Sequence, residues 1–152
     1  MLFDILMRIL KASIFDYDES FYRDAFLYLS GDRQQKALRY RNAADRLSCI
    51  LGDYLLRKAV SEETGIDLNR VCLSHTANGK PCVAHPENSG LHVSLSHSDG
   101  FVIIAIDTSP VGIDIEAIRD VDDAVKKHVL SQAESEYAGK SRARFFEVWT
   151  MK

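Results

Sequence analysis

Leu91-His92-Val93-Ser94-Leu95-Ser96-His97-Ser98-Asp99-Gly100-Phe101-Val102-Ile103-Ile104-Ala105-Ile106 is the stretch that sets the fold. Leu91, Val93 and Leu95 alternate with His92, Ser94 and Ser96, which predicts a half-buried strand. Phe101 to Ile106 is a continuous apolar run bounded by Asp99-Gly100 and Ser109-Pro110, and it predicts a buried strand. Past the Thr108-Ser109-Pro110 turn, Val111-Gly112-Ile113-Asp114-Ile115-Glu116 reads as a further strand, an antiparallel neighbour of the buried one.

Working outward, Asp32 to Val60 reads as one long helix with Asp32 as its N-cap. Leu47, Ile50, Leu51, Tyr54 and Leu55 form its apolar stripe, interrupted by Gly52 at a place that suits close packing. Asn78-Gly79 is a turn signal. From Asp122 the pattern is helical again. Ser131 and Glu134 have capping-box spacing, and Ser141 caps a last helix carrying Phe145 and Trp149 at i, i+4. The apolar start, Met1 to Leu10, reads as a buried first strand. It is too short for a membrane span and lacks the features of a signal peptide. The expected class is α+β, an antiparallel sheet with packed helices.

The 152 residues are 46% hydrophobic and 27% charged, ordinary for a globular domain or part of one. A formal net charge of -3 excludes a global basic field for nucleic acid. Three cysteines, Cys49, Cys72 and Cys82, with no secretory signal suit reduced thiols in the cytoplasm.

Four motifs carry candidate chemistry. On a strand, Asp114 and Glu116 share a face, about 7 Å apart, with open space at Gly112. Two carboxylates with room for water and phosphate suit Mg²⁺, and a solvated acidic strand face has the same pattern. His97 follows an alternating strand and can donate to an anion or bond locally. Lys80, in Asn78-Gly79-Lys80-Pro81, is presented on a tight turn, within reach of a phosphate or simply in solvent. Arg33 and Lys36 share a helix face, with Arg39, Arg41 and Arg46 beyond. This is a basic cluster or an ordinary solvated surface.

Taken in order, the basic helix, Gly79-Lys80-Pro81, Ser94-Leu95-Ser96-His97-Ser98, Val111-Gly-Ile-Asp-Ile-Glu116 and Phe146-Glu-Val-Trp-Thr-Met-Lys152 resemble the larger 4′-phosphopantetheinyl transferases, from about Ser30 to Lys152. Those enzymes are built from two pseudo-symmetric halves. The resemblance implies transfer of 4′-phosphopantetheine from coenzyme A to a serine of an apo acyl or peptidyl carrier protein, with Mg²⁺. It implies that Asp114 and Glu116 bind the metal. Ser96 and His97 would contact coenzyme A phosphate, Lys80 would belong to the coenzyme A pocket, and Arg33 and Lys36 would hold the 3′-phosphate end. Lys152 would bind the transferring phosphate, and Glu134, on the helix after the metal strand, would have a supporting role. Neither nucleic acid nor membrane is an expected partner.

The implied domains are an N-terminal half over residues 1–110 and the start of a second half over 111–152. In the family, the Trp-x-x-Lys run continues with a glutamate, whereas this sequence ends at Lys152. The expectation is therefore a truncated member, either active, with a homo-oligomer supplying the lost surface, or an impaired fragment that only binds coenzyme A. A third reading is a small zinc module, because Cys72-x-x-His75 and Cys82-x-x-His85 supply four N/S ligands. Tyr40, Phe145, Phe146 and Trp149 read as core aromatics without a site role.

Overall fold

The computed structural model describes residues 7–152. Of the expected first strand, residues 1–6 lie outside the described residues. Strand β1 spans Arg8–Ser13. The chain divides into two compact units, Met1–Asp114 and Ile115–Lys152. The boundary expected from the motifs fell at residues 110 and 111.

In the first unit, a short 3-10 turn leads to helix α1 (Glu19–Phe26), capped by the Asp18 carboxylate. Helix α2 is Gly31–Arg39 and helix α3 is Ala43–Thr64. Strands β2 (Cys72–His75) and β3 (Pro81–His85) form a hairpin. Strands β4 (His92–Ser98) and β5 (Phe101–Asp107) form a second hairpin, and β1 pairs with β5 to give the antiparallel order β1-β5-β4. The β4–β5 turn is the two residues Asp99 and Gly100, both at positive φ, which matches the twist of the strands it joins.

The expected long helix is two helices. Tyr40 is extended, and Asn42 restarts the helix by accepting the Ala44 N–H at 2.8 Å. Such a cap satisfies a backbone donor that a continuous helix would have bonded internally. Asp32 consequently lies in the first turn of α2, and Ser30 holds the N-cap position.

The stripe on α3 points where its spacing requires. Ile50, Leu51 and Leu55 are buried and pack with Val93, Val102, Ile104 and Ile106 of the sheet. Gly52 marks the closest approach: a Cβ there would run into the Leu95 side chain and come within 3.4 Å of Val102 Cγ1. The expected packing role of this glycine is what the structure contains.

The expected strand Val111–Glu116 does not form. β5 has both edges taken, by β1 and β4, so no edge remains for a returning neighbour. The segment is tied instead by side chains: the Ile113 N–H donates to Ser94 Oγ at 3.1 Å and Ser96 Oγ donates to Asp114 Oδ1 at 2.5 Å.

The second unit contains α4 (Asp123–Val129), α5 (Gln132–Ala138) and α6 (Arg142–Thr150). Ser131 and Glu134 form the expected capping box, and the Ser141 side chain caps α6. Ala138, Phe145 and Phe146 make its core, with Val121 and Leu130 against them. Trp149 stacks obliquely on Phe145 at 5.8 Å but stays partly exposed. No helix of the described residues is long and apolar enough to cross a membrane.

Candidate anion-binding cavity

The first unit encloses a cavity of about 90 Å³ where α2, α3, the β2–β3 hairpin and β4 meet. Helix α2 contributes Arg33 and Lys36, α3 contributes Cys49, Asp53 and Leu56, and β4 contributes Leu95 and His97. His75, Gly79 and Pro81 close it from the hairpin. A wider groove of about 500 Å³ shares Arg33, Lys36, His75 and Gly79 with it and continues along Ser30, Asp32 and Ser74.

The charge in this cavity is organised around a buried carboxylate. Asp53, 1% exposed as a side chain, accepts from Arg57 Nε at 2.7 Å and lies 3.6 Å from Arg33 Nε. Arg57 also donates to the Val71 carbonyl. A buried carboxylate requires such pairing. With Asp53 matched by Arg57, the guanidinium of Arg33 and the ammonium of Lys36 leave positive charge facing the cavity. The Arg33 Nε is buried and makes no hydrogen bond. Burial pushes the Cys49 thiol up, which keeps it protonated, and burial followed by Arg33 pushes the His75 imidazole down. Tyr40, also raised by burial, lines the cavity rather than serving only as core.

Of the residues singled out in the sequence, Arg33, Lys36 and His97 come together here. Lys80 sits on the turn that supplies Gly79, but its Nζ donates to the Val111 carbonyl at 3.0 Å. Ser96 and His97 are adjacent on β4 and therefore face opposite ways. His97 lines the cavity, while the Ser96 hydroxyl holds Asp114. Asp114 is exposed, and Glu116, in the second unit, pairs with Arg119 at 3.1 Å.

Glu134 and Lys152 meet within the second unit, Nζ to Oε2 at 2.8 Å, and Lys152 also donates to the Val129 carbonyl at 2.8 Å. The Lys152 hydrogen bond, followed by that from the Ser131 backbone, holds the Glu134 carboxyl down to about 2. The interaction therefore favours the fold above the ordinary carboxylate range and is lost as pH falls through about 2. Lys152→Gln should raise the Glu134 midpoint in an NMR titration of its carboxyl carbon, with the Ser131 bonds still holding it below the ordinary carboxylate value. An unmoved midpoint would assign the shift to the helix cap instead.

The hairpin register pairs Cys72 with His85 but sets two residues of the zinc reading, His75 and Cys82, on opposite faces. Cys82 pairs with Ser74, so it lies on the opposite face from His75, which pairs with Pro81. Among the described residues no group of three or more His, Cys, Asp or Glu side chains gathers to hold a metal. Asp53, with its partner Arg57 behind it, and His75 belong to the cavity although the sequence did not assign them to it. An Asp–Arg pair at i, i+4 inside an apolar stripe was the signal for the first two.

A family model described as "4′-phosphopantetheinyl transferase, N-terminal" matches residues 17–109, more than half the chain. The 4′-phosphopantetheinyl transferase psf-1 of Bacillus pumilus is 33% identical over 130 residues, which cover 82% of this chain and 55% of that protein. The 4′-phosphopantetheinyl transferase Sfp of Bacillus subtilis is 31% identical over 130 residues, covering 82% of this chain and 57% of Sfp. The gsp enzyme of Aneurinibacillus migulanus is 32% identical over 139 residues, covering 86% of this chain and 57% of gsp. The chain thus spans a little over half the length of these relatives. The crystal structure of Helicobacter pylori holo-[acyl-carrier-protein] synthase in complex with coenzyme A superposes with a TM-score of 0.52 at 18% identity, over 68% of this chain and 100% of that one. At that identity the likeness bears on the fold, and it agrees with the α+β antiparallel architecture. By the family model and these relatives together, the chain belongs to the 4′-phosphopantetheinyl transferases.

Proposed function

We propose that this chain forms the coenzyme A-binding part of an enzyme that transfers 4′-phosphopantetheine from coenzyme A to a serine of an apo acyl or peptidyl carrier protein, in the cytoplasm. The observation that carries this reading is the positive cavity built from Arg33, Lys36 and His97, inside the segment that matches the family. Arg33 and Lys36 hold the 3′-phosphate end, and His97 donates to a phosphate oxygen. Lys80 exchanges its bond to the Val111 carbonyl for the pyrophosphate.

Asp114 and Glu116 are the carboxylates assigned to magnesium. The fit rests on hard oxygen donors and on Asp114, exposed and oriented by the Ser96 hydroxyl. When bound, Mg²⁺ supplies charge neutralisation at the pyrophosphate as 3′,5′-ADP leaves. The carrier serine oxygen attacks the phosphorus bearing pantetheine, the bond from that phosphorus to ADP breaks, and the serine proton passes to a base. Lys152 leaves Glu134 to meet the transferring phosphate. Positioning and charge supply most of the rate.

The test is the intact mass of an apo carrier protein after incubation with this chain, coenzyme A and Mg²⁺. A phosphopantetheine-sized gain that EDTA abolishes supports transfer. A second reading is binding of coenzyme A without transfer, for which the basic cavity of Arg33, Lys36 and His97 suffices by itself. Coenzyme A retained by the chain with no gain in carrier mass supports that one, and neither result sinks both.

A further inference from the structure

His75 ends strand β2, is half-buried, and borders both the cavity and the adjoining groove. It shares that position with Arg33, Lys36 and Gly79. A histidine placed among cations is disfavoured as a fourth cation unless an anion is brought in. We propose that His75 is a further phosphate-contacting side chain of this cavity, and that it takes up a proton when coenzyme A binds. The inference rests on the functional reading above and names one more residue of the same site.

The surroundings of the ring decide the direction. Helix α2 presents Asp32, Arg33 and Lys36, with Tyr40 just beyond its end. Helix α3 presents Cys49 and Asp53, with Arg57 behind, and β4 presents His97. Asp53 is the carboxylate that favours a charged imidazole, but it is already paired with Arg57. Asp32 borders the open groove, where water screens it. Burial, Arg33 and Lys36 act the other way and hold the His75 imidazole below its ordinary value. The imidazole is therefore neutral at pH 7 in the empty cavity.

A phosphate dianion reverses both charge effects. It offsets Arg33 and Lys36, and its oxygens accept from an imidazolium in a charge-assisted hydrogen bond. The His75 midpoint rises on binding, so binding draws a proton from solution. By linkage, affinity for the anion increases as pH falls through the range between the free and bound midpoints.

The experiment is titration calorimetry of the chain with coenzyme A at pH 7, in two buffers of different ionisation heat, for wild type, His75→Gln and His75→Asn. Every other titratable group is common to the three proteins, so the difference isolates His75. A strand-end residue that is half exposed tolerates either change, and an unaltered urea midpoint checks this. We expect a fraction of a proton taken up by wild type that is missing in both variants. Affinity should fall roughly tenfold in the variants at pH 6 and less at pH 8. Equal proton uptake in the three proteins, whatever their affinities, overturns the proposal while leaving the functional reading intact. No binding of coenzyme A to wild type overturns both.

Discussion

Asp53→Ala should lower the stability of the first unit by about 3–5 kcal/mol, read as a fall in the urea unfolding midpoint. The variant removes one carboxylate and strands two guanidinium groups. Arg57, 6% exposed as a side chain, loses its 2.7 Å partner and keeps only the Val71 carbonyl. Arg33, 12% exposed, loses the charge 3.6 Å from its Nε, an atom that already makes no hydrogen bond. Breaking a buried pair from one side is costly because the remaining charge has neither water nor a counter-ion. The expected loss is a large share of the roughly 5–15 kcal/mol that holds a domain together, so failure to fold is within the expected result. A loss below about 1 kcal/mol would show that cavity water solvates both arginines without the carboxylate.

Asp114→Ala, made within a transferase of the relatives' full length, should reduce carrier-protein modification at saturating Mg²⁺ by about a hundredfold or more. Asp114 is exposed and outside the core, so the variant should unfold at the wild-type midpoint. Turnover retained at saturating Mg²⁺ would count against the metal assignment. Ser96 separates two explanations of its own role. If its hydroxyl acts by orienting Asp114, Ser96→Ala should cost about tenfold to a hundredfold, and extra Mg²⁺ should recover much of it. If Ser96 instead touches coenzyme A directly, extra coenzyme A should recover the activity and Mg²⁺ should not.

What the sequence disclosed and what it hid have physical causes. The stripe from Leu47 to Leu55 disclosed α3 and its buried face, because burial imposes a period that survives in composition. Ser131 with Glu134 and Ser141 disclosed two helix starts, because a cap is a local hydrogen bond. The break between α2 and α3 is also local, a cap at Asn42, but the helical pattern on either side conceals it. The segment Val111–Glu116 alternates as a strand should, yet strand formation needs a free edge, and β1 had taken that of β5 from far away in the chain, with Ser13 opposite Phe101 and Arg8 opposite Ile106. Such long-range competition leaves no mark on six residues. The same holds for the cavity. Arg33, Lys36 and His97 were found through motifs, whereas His75 came in only with the β2–β3 hairpin, whose folding sets its neighbours.

Gly52 gives the cavity its dimensions. Cys49, Leu56 and Asp53 stand three residues before, four after and one after this glycine on α3, and all three line the cavity. Leu95, the side chain its missing Cβ would strike, lines the cavity from the facing strand. The gap between helix and sheet, and with it the room left for an anion, is therefore gauged by a single hydrogen atom. Any larger group at that point would act as a shim, prying the basic wall away from His97 and retuning which ligands fit without altering one residue that touches them.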